Sequence, residues 1–228
     1  MTGEMSRLFD CASDSELLAG MRAARAALAK GELAVIPTDT VYGVAVDAFN
    51  PAAVAKLLEA KGRDRTSPPP VLIGSTDVLP ALAESVPPLV NDLANEFWPG
   101  GLTIILDAQP SLHWDLGDTL GTVAVRVPAH PLALELLAET GPLAVSSANK
   151  TGVAPATTAA GAQGQLGDAV AVYLNAGRIA GKASTIVDAT GLSRGTGGVR
   201  VVRAGAVSPT RLRKVLGKQF EPLGSIEG

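Results

Sequence analysis

The sequence predicts a mixed α/β domain, a twisted sheet of parallel and antiparallel strands flanked by helices. Three observations carry this. Short β-branched apolar runs interleave with segments of helical period. Several of those runs lie close enough in sequence for antiparallel pairing. No repeat or linker divides the 228 residues, a length that suits a single domain. One domain is therefore expected over 1–217, with 218–228 as a C-terminal tail.

The elements follow in order. Residues 13–30 read as a helix with Ser13 and Glu16 spaced as a capping box and Gly31 as terminator. Leu33 to Pro37 is a buried strand that leaves through a polar loop, Thr38 to Gly43. Pro51 opens a helix to about Ala60, by its fixed φ at the first turn. Lys61 to Pro70 ends in three prolines and must be a basic loop. Val71 to Gly74 is a short strand, and a helix from Pro87–Pro88 runs to about Trp98. Strands are expected at Leu102–Leu106 and Thr122–Val127, the latter delivering Arg126. A helix at Pro131–Thr140 precedes a strand from Leu143 that ends in Ser146-Ser147-Ala148-Asn149. A looser helix precedes a strand at Ala169–Leu174, and Thr185–Val187 and Val199–Val202 are further strands. Ser208 caps the last helix, which ends near Gly217.

Composition excludes several classes. At 46% hydrophobic and 18% charged residues the chain is not disordered. No apolar run approaches the roughly 18 residues a membrane span requires. The first residues lack a basic-then-apolar opening, so no secretory signal is expected, and a cytoplasmic location is. A single cysteine, Cys11, excludes an internal disulfide. With only His113 and His130 beside it, a zinc site is not expected, and both histidines read as surface or structural. A net charge of -3 with 4% aromatics argues against a generic nucleic-acid surface.

The polar residues gather at strand ends: Thr38-Asp39-Thr40, Arg126, Ser146 to Asn149, Ser184-Thr185 and Arg203. Strand ends are where α/β domains form ligand clefts. The set is rich in hydrogen-bond donors and in arginine, and has no nucleophile paired with a base. It suits anions and polar small molecules. Each piece also has an ordinary structural reading. The Lys61-Gly-Arg63-Asp-Arg65 loop is either a phosphate clamp or a solvated basic loop. Arg126 needs either an anionic ligand or an internal carboxylate. Ser146 to Asn149 is also good turn chemistry, and Thr196-Gly197-Gly198 reads as a hairpin turn. Gly177 to Ser184 has glycines at the wrong spacing for a P-loop.

Taken together, these segments resemble the YrdC-like family. The resemblance rests on Pro37-Thr-Asp-Thr-Val-Tyr-Gly43, Lys61-Gly-Arg63, Phe97-Trp-Pro-Gly-Gly-Leu-Thr103, Val125-Arg126-Val-Pro128, Ser147-Ala-Asn149 with Gly152, Ser184-Thr-Ile-Val-Asp188, and Arg203 with Gly205. They occur in family order from about residue 15 to 215. The resemblance implies the family's twisted α/β fold in its short, single-domain form. It implies an ATP-dependent synthase that joins L-threonine, bicarbonate and ATP into threonylcarbamoyl-AMP and releases pyrophosphate. Magnesium is expected with ATP, with no other metal and no tightly bound organic cofactor. A downstream transfer complex would then modify tRNA, and tRNA or double-stranded RNA is a possible direct partner; no membrane is implied. The alternative is a non-catalytic RNA-binding member.

The resemblance also assigns roles. Lys61, Arg63 and Arg126 are the catalytic cations. Lys61, Arg63, Ser67, Thr122, Ser147, Asn149 and Arg203 would hold ATP. Thr38, Thr40, Tyr42, Arg126, Ser146, Ser184 and Thr185 would surround threonine. The sequence departs from the family pattern at Ser146, Gly101, Ala183 and Ala204, where proline is usual, and at Leu72, where a polar histidine is often found.

Overall fold

The computed structural model describes residues 6–179 and 181–224. In chain order the strands and helices are β1 (Arg7–Asp10), α1 (Asp14–Ala29), β2 (Ala34–Ile36), β3 (Gly43–Asp47), α2 (Pro51–Lys61), β4 (Val71–Leu72), α3 (Leu79–Leu82), α4 (Pro88–Phe97), β5 (Leu102–Asp107) and β6 (Thr122–Arg126). They continue as α5 (Pro131–Thr140), β7 (Leu143–Ser147), α6 (Ala159–Leu166), β8 (Val172–Asn175), β9 (Thr185–Asp188), α7 (Thr190–Arg194), β10 (Val199–Arg203), α8 (Pro209–Leu216) and β11 (Phe220–Glu221). All strands join one open mixed sheet in the order β1-β8-β2-β3-β7-β4-β6-β5-β9-β10-β11. The expected mixed α/β fold is therefore present. No helix among the described residues is long and apolar enough to cross a membrane.

Several local expectations need correction. Ser13 makes no side-chain cap; Glu16 instead accepts from the Asp10 N–H at 2.8 Å, tying α1 to the end of β1. Functional caps are found on α2, where Asn50 accepts from Ala53 N, and on α8, where Ser208 accepts from Arg211 N. The polar loop after β2 is followed at once by β3. That strand is buried along most of its length, so it lacks the alternation that advertises a half-exposed strand. The Gly197-Gly198 segment is not a tight hairpin: β9 and β10 are antiparallel, but α7 intervenes. The segment expected as a tail begins with a turn at Gly217–Gln219 and then β11, which pairs in parallel with β10. Residues 225–228 lie outside the described residues.

The pleat divides the sheet into two faces, since successive side chains point to opposite sides. On one face Val46, Ile104, Leu106, Val125 and Val187 form the larger core with Leu57 of α2, Leu93 of α4, Leu166 of α6 and Leu212 of α8. On the other, Ile36, Ala45 and Val145 form a smaller core with Met21 and Leu28 of α1 and Leu136 of α5. That second core stops short of β5, β6, β9 and β10. Their alternate residues, Thr103, Ile105, Ala124 and Ile186, line a cleft instead. Ile104, fully buried between two such residues, measures how firmly the platform is anchored. Ile104→Ala should lower stability by about 3 kcal/mol, through lost burial and a residual cavity, read as a shifted midpoint in urea unfolding.

Candidate active site

The cleft has a volume of about 430 Å³. Nine of the residues expected at the site line it: Thr38, Thr40, Arg63, Thr122, Arg126, Ser146, Ser147, Ser184 and Arg203. Local structure explains how they arrive there. Arg126 shares the cleft-facing side of β6 with Thr122 and Ala124, while Val123 and Val125 belong to the larger core. Arg203 sits beyond a register shift between Val201 and Arg203, and that irregularity lets adjacent Val202 and Arg203 both reach the cleft. Two glycines allow close backbone packing at the rim. A Cβ on Gly205 would lie 2.2 Å from the Ala183 carbonyl oxygen, and one on Gly181 would lie 2.2 Å from that of Thr40.

Arg126 is the most constrained of these residues, at 5% exposure. Its Nε donates to Gly100 O at 2.7 Å, Nη1 to Thr40 Oγ1 at 2.9 Å and Nη2 to Asp39 Oδ1 at 2.6 Å. Both readings of Arg126 left open by the sequence are thus compatible: it has an internal carboxylate, and it lines the cleft. A guanidinium has five N–H donors, so one on each terminal nitrogen remains for a ligand. Burial pulls the Arg126 pKa down and Asp39 opposes that pull. His130 lies near Asp39, with Nδ1 buried and unpartnered among the described residues. Burial holds its pKa below the ordinary histidine value, so it stays neutral at pH 7 and leaves Asp39 to Arg126.

The hydroxyls have defined polarity. Thr38 Oγ1 donates its one proton to Val41 O at 2.5 Å, so Thr40 is the donor in the 3.1 Å pair between the two threonines. Thr40 also accepts from Arg126, so what it has left is a lone pair, suited to an amine or ammonium N–H. Ser184 accepts from Arg203 Nη2 at 3.0 Å and pairs with Thr103 Oγ1 at 2.8 Å. Thr103, buried on β5, is a cleft residue the sequence reasoning missed; its signal is a polar residue inside the otherwise apolar run Leu102–Leu106.

Arg63 and Arg203 have no carboxylate partner among the described residues. Arg63 Nη1 makes a long 3.3 Å bond to Ser146 Oγ, and Arg203 donates to the Ser184 carbonyl through Nε and Nη2. Burial first, then repulsion from Arg126 and Arg63, pulls the Arg203 pKa below its usual range. It remains a cation at neutral pH. Arg65 points elsewhere: it pairs with Asp115 at 2.8 Å and Asp118 at 3.3 Å, staking the proline-rich loop to the 115–118 segment. Three guanidiniums with one carboxylate among them make a cleft with a strong demand for anions.

Five expected residues do not line the cleft. Ser67 is exposed on the loop between its lining neighbours Thr66 and Pro68. Tyr42 is buried, donating to Gly177 O and accepting from Ala176 N. Thr185 Oγ1 bonds both backbone groups of Val207. Asn149 donates to Lys150 O and Val153 O, while its buried Oδ1 has no partner among the described residues. Lys61, 1% exposed at the end of α2, donates to the Ser147 and Asn149 carbonyls. The last four, Tyr42, Thr185, Asn149 and Lys61, buttress the loops that carry the lining groups.

Burial, with Arg63 second, pulls the Lys61 pKa from 10.5 down to about 8. A buried lysine with a depressed pKa penalises folding wherever both states are charged, below about 8. The penalty is relieved as pH rises through 8 to 10.5, where the unfolded chain holds the extra proton. The stability of the wild type relative to Lys61→Met should therefore climb across that window, measured by urea unfolding at a series of pH values.

Comparison with known proteins agrees with this architecture. The sequence model of the Sua5/YciO/YrdC family, described as "Telomere recombination", matches residues 26–205. A Mycobacterium leprae protein named "Putative threonylcarbamoyl-AMP synthase" is 50% identical over 214 residues, covering 93% of this chain and 95% of its own. A Bacillus subtilis threonylcarbamoyl-AMP synthase is 44% identical over 131 residues, 57% of this chain and 38% of that protein. The solved structure of Pyrococcus abyssi Sua5 complexed with L-threonine superimposes with a TM-score of 0.85 at 29% identity over 95% of this chain. The chain spans 62% of that Sua5 chain. With this match across most of its length and with the same fold, the chain belongs to the Sua5/YciO/YrdC family.

Proposed function

We propose that this protein synthesises threonylcarbamoyl-AMP from L-threonine, bicarbonate and ATP, releasing pyrophosphate. The observation that carries the reading is the cleft in which Arg126 keeps two free N–H groups while Arg63 and Arg203 have no carboxylate partner among the described residues. The names of the relatives support it.

In this reading the threonine carboxylate takes the two remaining Arg126 donors as a fork, and the amine faces the lone pair of Thr40. Ser184, fixed by Arg203 and Thr103, is within the same cleft to donate to either substrate oxygen. The amine attacks the bicarbonate carbon, giving the carbamate and water. A carbamate oxygen then attacks the α-phosphorus, and the bond to the pyrophosphate leaving group breaks. Arg63 and Arg203 hold phosphate oxygens, and Lys61 braces the Ser147 and Asn149 carbonyls from behind the cleft wall. Ile105, Leu116, Ile186 and Val202 give the cleft an apolar flank for a flat base. The rate gain comes from holding mutually repelling anions in line and from cations already in place.

Magnesium fits as the ion carried by ATP, screening its phosphates. No group of three or more His, Cys, Asp or Glu among the described residues could hold a metal, and magnesium commonly binds through substrate phosphates. The product is a mixed anhydride, suited to a transfer complex that moves the threonylcarbamoyl group to tRNA in the cytoplasm. Direct RNA binding without synthesis is the competing reading. Steeply salt-dependent tRNA binding with no pyrophosphate release would favour it.

Pyrophosphate release should require threonine, bicarbonate, ATP and magnesium together; release that ignores threonine and bicarbonate would sink the proposal. Arg203→Ala and Arg63→Ala should each raise the KM for ATP by about tenfold, the scale of a lost hydrogen bond to a charged group. Arg126→Ala should fall mainly on threonine. Steady-state kinetics with each substrate varied in turn separate these effects.

A further inference from the structure

Asp39 stands apart from the other polar residues around the cleft. Among the described residues it is the one carboxylate paired with any of the three guanidiniums, and it does not itself line the cleft. Thr38 and Thr40 on either side of it do. Its Oδ1 accepts from Arg126 Nη2 at 2.6 Å and from the Ala129 backbone N–H at 2.8 Å. One oxygen therefore joins the loop after β2, the end of β6 and the approach to α5.

Two consequences follow for Arg126. Its guanidinium plane is set by three acceptors on two segments, Gly100 O before β5 and Thr40 Oγ1 and Asp39 Oδ1 in the loop after β2. With Asp39 gone, Nη2 would lose its anchor and the fork left for a carboxylate would be free to turn away. Asp39 also cancels the charge of one guanidinium among three that share a cleft, and Arg126 and Arg203 are close enough to repel. We infer that Asp39 is the positioning residue of the threonine subsite. It aims the two free Arg126 donors and confines the uncompensated positive charge to Arg63 and Arg203.

This rests on the proposed reading of the cleft, and it makes a prediction that general damage would not. Asp39→Asn turns the oxygen that Ala129 N and Arg126 Nη2 share into a neutral amide acceptor, so the charge-assisted hold on Arg126 becomes a weaker neutral one. Threonine binding should weaken because the fork is less firmly aimed, by about tenfold, the scale of a charged hydrogen bond. Binding of inorganic pyrophosphate should hold or tighten at low ionic strength, because the cleft gains net positive charge, and the gain should fade at high salt.

The test is calorimetric titration of L-threonine and of inorganic pyrophosphate into wild type, Asp39→Asn, Arg126→Met and the double variant. If Asp39 acts through Arg126, the double variant should bind threonine no worse than Arg126→Met alone. Threonine affinity of Asp39→Asn within about twofold of wild type would overturn the inference. So would losses that add in the double variant, or pyrophosphate weakening in step with threonine. Should Asp39→Asn alone fail to fold, Arg126→Met against the double variant still decides, since a further loss of threonine binding overturns the inference and equality supports it. Wild type that binds no threonine would instead refute the reading of the cleft.

Discussion

A guanidinium buried at the end of a central strand shapes much of what surrounds it. Removing Arg126 from water is costly unless its charge and its donors are met, and the molecule meets them from three directions. Each contact draws a different segment inward: the turn before β5, the loop after β2, and through Asp39 the start of α5. The rim of the cleft is thus assembled around one cation. A structural salt bridge and a ligand site coincide here because the guanidinium has more donors than the fold consumes.

The sheet supplies the platform for that assembly. Helices cover one face throughout the larger core, while α1 and α5 cover only part of the other. Where that cover ends, the outward positions of β5, β6 and β9 no longer need to be wholly apolar, and Thr103, Thr122 and Arg126 occupy them. Beneath the cleft the polar side chains are turned to scaffolding. Lys61 illustrates the economy of this arrangement: its ammonium satisfies two carbonyls at the end of β7, and a neutral amine has protons enough for the same two bonds.

Much of this was legible in the sequence, and the remainder has identifiable causes. Bursts of hydroxyls and arginines at strand ends locate the cleft because apolar strands leave polar groups nowhere else to go. The caps on α2 and α8 are local chemistry and equally readable. What local pattern does not carry is which candidates face the cleft and which support it. Tyr42 and Thr185 look like ligand residues by type, yet each is spent on backbone groups far along the chain, Gly177 and Val207. The pairing of Asp39 with Arg126 joins positions 87 residues apart and depends on strand order, which no short window contains. The strand Phe220–Glu221 is missed for a related reason: two residues have no period of their own, and only pairing with β10 defines them.

The register shift in β10 makes chain length, as much as side-chain identity, part of the site. Without that slip the pleat would turn adjacent residues to opposite faces, and Val202 and Arg203 could not both reach the cleft. Losing or gaining one residue within β10 would exchange the arginine for a neighbour without touching any residue that binds. A relative with every expected residue type but a different count between β9 and the end of β10 would present a different cleft. Aligning such chains by residue identity alone would hide the change.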